Sequence, residues 1–111
     1  MNDLIRTTDD KLMMYKAINS SSAIQMKDVI GTELVIKDVI QVEVVNSSGE
    51  LVVNTTIFAE SGELYATLSP TISSSIHNME NVFGDLRGLR VVILDRLNPK
   101  SDRKFLTLDV V

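Results

Sequence analysis

Apolar and polar side chains alternate along the first well-patterned segment of the chain, residues 32–46. A period of two over this length predicts a long β-strand, because successive side chains of a strand point to opposite faces. One parity carries the aliphatic residues that we expect to face a core: Leu34, Ile36, Ile40, Val42 and Val44. Asp38 falls on the same parity, so we expect a bulge or bend near Lys37 and Asp38.

Two further strands, residues 51–59 and residues 63–68, follow after short polar turns. The turn between the first two strands carries Gly49 late in its sequence, which is typical of a hairpin. In the third strand, Tyr65 and Thr67 are opposed to an apolar set that we expect to face the interior: Leu64, Ala66 and Leu68. Three strands joined by short turns predict an antiparallel meander.

The clearest helix signal lies between residues 69 and 84. Ser69 suits an N-cap, Pro70 suits the first helical position, and Gly84 suits the residue after the last turn. Between them an apolar stripe repeats at spacings of four, three and four: Ile72, Ile76, Met79 and Phe83. Two more alternating segments follow, residues 89–95 and residues 103–111, joined by a polar loop.

The order strand, strand, strand, helix, strand, strand predicts an all-β fold, a five-stranded oligonucleotide/oligosaccharide-binding (OB) barrel with one main helix. An SH3-like or other small barrel is the alternative. We expect one domain over residues 1–111, with a flexible end at residues 1–10, a short helix at residues 11–18 and the barrel over residues 31–111. The mass of 12.3 kDa fits a single domain.

The composition of the chain excludes several kinds of functional site. The chain has no cysteine and one histidine, His77, so Cys-ligated and multi-His metal sites are excluded within one chain. It has no glycine-rich phosphate loop and no marked nucleophile, so we expect no enzyme activity, no metal and no cofactor. No apolar run approaches the ~20 residues that span a bilayer, and the N-terminus lacks a signal-peptide profile. We therefore expect a cytoplasmic protein without membrane contact.

Basic and acidic side chains are distributed unevenly along the chain. The net charge of −4 argues against nucleic acid, since phosphate binding depends on Lys and Arg. However, residues 1–84 carry 5 basic and 11 acidic side chains, whereas residues 85–111 carry 6 basic and 4 acidic. Four basic residues lie within nine positions around the last loop: Arg96, Lys100, Arg103 and Lys104. A polyanion such as DNA binds to a local basic patch of this kind, so the negative net charge does not exclude nucleic-acid binding.

Three aromatic residues complete the candidate site. Phe58, Tyr65 and Phe105 all have the parity opposite to the aliphatic set, so we expect them on the outer face. Lys37 shares the outward face of the first strand. Rings that stack on bases, beside cations that follow the phosphates, bind single strands without a fixed sequence. The alternatives are that the charged hairpin is a solvated tip, that Phe58 or Phe105 is core, and that Lys37 only keeps the strand soluble.

Four short motifs carry a family resemblance. They are Met-Lys-Asp-Val-Ile-Gly at residues 26–31, Gly-Glu-Leu-Tyr-Ala-Thr-Leu-Ser at residues 62–69, Val-Phe-Gly at residues 82–84, and Lys-Phe-Leu-Thr-Leu at residues 104–108. With these motifs the chain resembles the single-stranded DNA-binding proteins of small protein-primed podophages that infect Gram-positive bacteria. Tyr65 would match the third-strand tyrosine of that family.

The resemblance implies a sequence-independent coat that protects displaced single strands during phage DNA replication in the host cytoplasm. Single-stranded DNA would be the partner, with possible self-association of neighbouring copies along the strand. Two other classes of function stay open from the sequence. One is a non-catalytic interaction or assembly module of a phage, and the other is an OB barrel that binds RNA or an oligosaccharide.

Overall fold

The computed structural model describes residues 4–18, 23–101 and 103–111; residues 1–3 of the expected flexible end lie outside these ranges. The helices are α1 (Lys11–Ile18), a 3-10 turn η1 (Met26–Asp28) and α2 (Pro70–Phe83). The strands are β1 (Ile24–Gln25), β2 (Glu33–Val45), β3 (Leu51–Ala59), β4 (Leu64–Thr67), β5 (Arg90–Leu97) and β6 (Lys104–Val110).

These strands form one sheet in the order β1-β4-β3-β2-β5-β6, strongly curled into a half-barrel. The mostly-β, OB-like architecture predicted from the order of elements is therefore confirmed. The two-residue strand β1, which pairs in parallel with β4, was not predicted. It is too short to carry a periodic pattern of its own.

The long strand β2 pairs on both of its sides. It runs antiparallel to β3 along most of its length, and Glu33–Val35 also pair with β5. The register with β3 shifts between Ile36 and Asp38, which confirms the predicted bulge. One partner strand on each side allows a single long strand to belong to both parts of a curled sheet.

The bulge reverses the faces of β2, and this corrects the expectation of a single apolar parity. Leu34 and Ile36 face the main core before the bulge, and Val39 faces it afterwards. Ile40 and Val42 belong to a second cluster on the opposite face of the sheet. One extra residue in a strand moves every later side chain to the other face.

The main core lies between the inner face of the sheet and α2. Ser69 caps this helix, since its Oγ accepts a hydrogen bond from the Ile72 N–H at 3.4 Å. Gly84, at φ +80°, ends it by donating from its N–H to the Glu80 carbonyl at 2.8 Å. Ile72, Ile76 and Met79 are buried as predicted, but Phe83 is 50% exposed because the last turn extends past the core.

Residues 5–7 of the N-terminal segment are paired with the sheet. Arg6 lies opposite Ile40 in an antiparallel bridge. The Thr7 N–H donates to the Val39 carbonyl at 3.0 Å, and the Gln41 N–H donates to the Ile5 carbonyl at 2.8 Å. The pairing of β2 with β5 ends at Val35, and this segment supplies partners for the backbone of β2 at Val39 and Gln41.

The short helix α1 occupies the predicted range and covers the outer face of β2, β3 and β4. Its single buried residue, Ala17, packs with Ile40, Val42 and Phe58. The Asn54 Nδ2 donates to the Ala17 carbonyl at 3.3 Å and so fixes the C-terminal end of the helix. The sheet consequently has an apolar layer on both faces, and α1 closes the outer one.

Candidate nucleic-acid interface

Tyr65 lies in the main core and is 4% exposed. Its cross-strand partner is Ile57, which also faces the core, so the expectation that Tyr65 points outward is wrong. The register of β4 against β3 decides the face, and the apolar parity of β4 alone gave the opposite answer. A stacking role for Tyr65 would require the ring to leave this position.

The hydroxyl of Tyr65 donates a hydrogen bond to Glu63 Oε2. This bond, together with burial and the negative charge of Glu63, raises the pKa of Tyr65 to about 12. The phenol therefore stays neutral across the physiological range, and Glu63 places a carboxylate at the ring's polar end.

Phe58 and Lys37 come together on the outer face, beside α1. Both line a cleft of about 230 Å³ to which α1 contributes Lys16 and Met13. Lys37 is exposed, but Phe58 is only 5% exposed because α1 packs over it. OB folds bind their ligands on the face of the second and third barrel strands, which are β3 and β4 in this chain. Here α1 largely covers that face.

The β5–β6 hairpin holds the four predicted cations on exposed positions. Across it, Arg96 pairs with Phe105 and Leu97 pairs with Lys104. The Asn98 N–H donates to the Arg103 carbonyl at 2.7 Å, and the Lys100 N–H donates to Asn98 Oδ1 at 2.9 Å. These hydrogen bonds join residues 98, 100 and 103 of the hairpin, and the cationic side chains Lys100 and Arg103 are exposed.

Two of these cations form exposed ion pairs. Arg96 Nη2 lies 3.0 Å from Asp109 Oδ2, and Lys104 Nζ lies 3.7 Å from Asp95 Oδ2. Exposed pairs contribute only ~0–1 kcal/mol, so a phosphate can compete for either cation at little cost. Among residues 4–18, 23–101 and 103–111, no carboxylate lies within 4.0 Å of the side-chain nitrogens of Lys100 or Arg103.

Phe105 is half-buried, unlike the other two rings. It lines a cleft of about 180 Å³ between η1 and β6, which we call the η1–β6 cleft: Lys27, Ile30, Asp95, Lys104, Phe105 and Leu106. The structure therefore brings Phe105 together with two of the hairpin cations, Arg96 across the hairpin and Lys104 next to it in β6. It does not bring them together with Phe58 and Lys37, because the two clefts share no lining residue.

Lys27 is the cleft residue that sequence reasoning missed. It lies in the Met-Lys-Asp-Val-Ile-Gly motif, but nothing in its spacing relates it to Lys104, and only the fold places the two together. Across the described ranges, no cluster of three His, Asp or Glu residues is arranged to hold a metal ion. No helix in that part of the chain is long and apolar enough to cross a membrane.

A family model described as phage single-stranded DNA-binding protein, of the phi29 type, matches residues 4–111. The chain belongs to this family. Its partner is single-stranded DNA, and it is a single-stranded DNA-binding protein of phage replication. The family consists of non-catalytic DNA-binding proteins. No curated protein and no solved structure is significantly similar to the chain.

Proposed function

We propose that this family member coats displaced single strands without sequence preference and that the β5–β6 hairpin is the part that contacts the strand. The proposal is supported by the half-exposed Phe105, which pairs across the hairpin with Arg96, and by the exposed cations Lys100, Arg103 and Lys104 of the same hairpin. A half-exposed ring offers a base a stacking partner, and the cations around it suit the flanking phosphates.

Sequence independence is expected from the chemistry of these groups. Lys and Arg contacts to phosphates carry no sequence information, and every base presents a face to an aromatic ring. The acidic remainder of the chain, with a balance of −6 over residues 1–84, leaves the cations of residues 85–111 as the attractive region for DNA.

We also propose that neighbouring copies contact one another along the coated strand in the host cytoplasm. The exposed side chains Leu12, Tyr15 and Ile18 of α1 support such contacts, since each is at least 60% exposed on a helix that already packs its opposite side on the sheet. The podophage type and the Gram-positive host stay predictions from the resemblance.

The test is a titration of a labelled oligo-dT with the intact protein at about 50 mM and about 200 mM salt. With four phosphate contacts, single-strand binding should show a log–log salt slope of about −3 and weaken roughly 50-fold over this range. Steeper, cooperative binding to long poly-dT than to a short oligonucleotide would support contacts between neighbours.

Single-stranded RNA and duplex DNA serve as competitors in the same titration. If oligo-dT does not bind even at the lower salt concentration, the proposed hairpin function is wrong. If RNA displaces oligo-dT at equal concentration, the barrel is a general single-strand binder. An oligomer that ignores DNA altogether would favour the assembly module instead.

A further inference from the structure

We propose that α1 of one copy docks into an apolar groove of the next copy, between the start of β3 and the first turns of α2. The inference rests on the proposed contact between neighbouring copies and names the surface that receives α1. We call this surface the β3–α2 groove, and its lining comprises residues 51–53, Leu68, Pro70, Ser73 and Ser74.

The β3–α2 groove lies on the inner face of the sheet, beyond the end of the main core. Leu51 and Val53 share the parity of Ile57, which faces the main core. Leu51 is 64% exposed and Leu68 is 46% exposed, so this end of the inner face is open to solvent. The groove has a volume of about 360 Å³. Open apolar surface of this kind is typical of a protein-binding site.

The β2–β3 hairpin adds further groups to the same end of the sheet. Val45 lies opposite Leu51, and Glu43 lies opposite Val53. Directly opposite residues of an antiparallel pair project from the same face, so both belong to the face of the groove. Val45 is 66% exposed, and Glu43 is exposed as well. The groove therefore continues into an apolar surface with a carboxylate beside it.

The helix α1 carries an unpartnered apolar stripe that matches this groove in chemistry. Leu12, Tyr15 and Ile18 recur every three residues, and each is at least 60% exposed. The opposite side of the helix is used within the copy, since Ala17 packs on the outer face of the sheet. An amphipathic helix that lays such a stripe into an apolar groove is a common mode of recognition.

The charges beside the two surfaces are opposite in sign. Lys11 and Lys16 are exposed on α1, and Glu43 and Glu50 are exposed on the β2–β3 hairpin. Within the described ranges, none of these four side chains takes part in an ion pair shorter than 4.0 Å. The acidic residue next to α1, Asp10, is occupied as its cap, because Oδ1 accepts from the Leu12 N–H at 2.9 Å. Complementary charges of this kind select the partner and its orientation.

The occupant must come from a second copy, because α1 and the groove lie on opposite faces of one sheet. The Asn54 Nδ2 donates to the Ala17 carbonyl at 3.3 Å and holds α1 on the outer face. Contacts between two unlike surfaces repeat from copy to copy, as a coat along a strand requires. Neither surface includes a residue of the β5–β6 hairpin, which stays free for DNA.

Three serine variants of exposed apolar residues test the contact: Tyr15→Ser on α1, Leu51→Ser in the groove, and Val82→Ser as the control. Val82 is 77% exposed on α2 and lies outside the groove. The measurement is the affinity per copy for poly-dT divided by that for a short oligo-dT that holds one copy. We expect this ratio to fall at least about fivefold in the first two variants and to stay unchanged in the control. Binding to the short oligo-dT and thermal melting should be unaltered in all three.

The absence of cysteine from the chain permits a direct test of which surfaces meet. Tyr15→Cys mixed with Leu51→Cys on poly-dT should give a covalent dimer with a short bis-maleimide reagent. Tyr15→Cys mixed with Val82→Cys, and Tyr15→Cys alone, should give little product. An equal yield from Tyr15→Cys alone would mean that two like surfaces meet, which overturns the proposal.

Failure of the groove and failure of the hairpin can be told apart. If the parent protein binds the short oligo-dT but its ratio is near one, or the variants keep the parent ratio, the groove is wrong and the hairpin function stands. If the parent protein binds no oligo-dT, the hairpin function is wrong. The mixed Tyr15→Cys and Leu51→Cys proteins should then still cross-link at high concentration without DNA, and a lack of product would overturn the groove as well.

Discussion

Replacing Lys100 and Arg103 together by glutamate should lower the affinity for oligo-dT by about 100-fold or more at low salt. Both side chains are exposed on the hairpin loop, and neither has a carboxylate partner among the described residues. Each lost hydrogen bond to a charged phosphate costs ~1.5–3 kcal/mol, and a glutamate adds repulsion. The loss should be the same for every base composition, and the salt slope should fall by about 1.4, or about 0.7 per contact.

The matched control is Arg6→Glu with Lys11→Glu, which changes the total charge by the same amount. Both residues are exposed, and both lie in the N-terminal segment rather than on the hairpin. We expect the control to lose less than about tenfold, through the general field alone. Equal losses from the two double variants would mean that net charge, and not the hairpin, determines binding.

Ile76→Ala should lower the free energy of unfolding by ~2–5 kcal/mol, whereas Phe83→Ala should lower it by less than about 1 kcal/mol. Both residues belong to the apolar stripe of α2, and the phenylalanine is the larger. However, Ile76 is fully buried in the main core, whereas Phe83 is 50% exposed at the last turn. Only the buried side chain leaves a cavity when it is truncated.

Urea unfolding followed by circular dichroism measures both values, and unchanged m-values would show that the same surface is exposed on unfolding. Below the transition, the two variants should bind oligo-dT like the parent protein, since both residues lie in α2 and not on the β5–β6 hairpin. A larger loss for Phe83→Ala would show that the end of α2 packs on the barrel after all.

Much of the fold could be predicted because local chemistry determines it. The helix α2 begins at a serine cap and a proline and ends at a glycine with positive φ, and each of these residues acts through its own backbone geometry. The bulge in β2 was visible as Asp38 on an apolar parity. The order of such elements was sufficient to indicate an OB-like barrel.

The faces of the strands could not be predicted in the same way. Alternation shows that two faces differ, but register against a neighbour decides which one is inside. Tyr65 lies opposite Ile57 and is therefore in the core, although the apolar parity of β4 predicts that Leu64 and Ala66 face inward. Phe58 is covered because α1 adds a second apolar layer. The sequence of an eight-residue helix is too short to predict where the helix packs.

The burial of the polar residue Gln41 could not be predicted from the sequence either. It follows the bulge and points between the sheet and α2, where its Nε2 donates to Thr55 Oγ1 at 3.2 Å and to Ser73 Oγ at 3.1 Å. Its Oε1 accepts from the Ile5 N–H at 3.1 Å. A fully bonded amide of this kind can be buried, yet its residue type alone predicts an exposed position. The contact with Ile5 also explains why the N-terminal segment is held against the sheet.

Amide chemical-shift mapping of the isotope-labelled protein during titration with oligo-dT locates the bound strand on the protein surface. We predict that the largest changes occur at residues 96–106, with the amides of α1 little affected. Changes concentrated on α1, Lys37 and Phe58, with the hairpin amides unmoved, would contradict it.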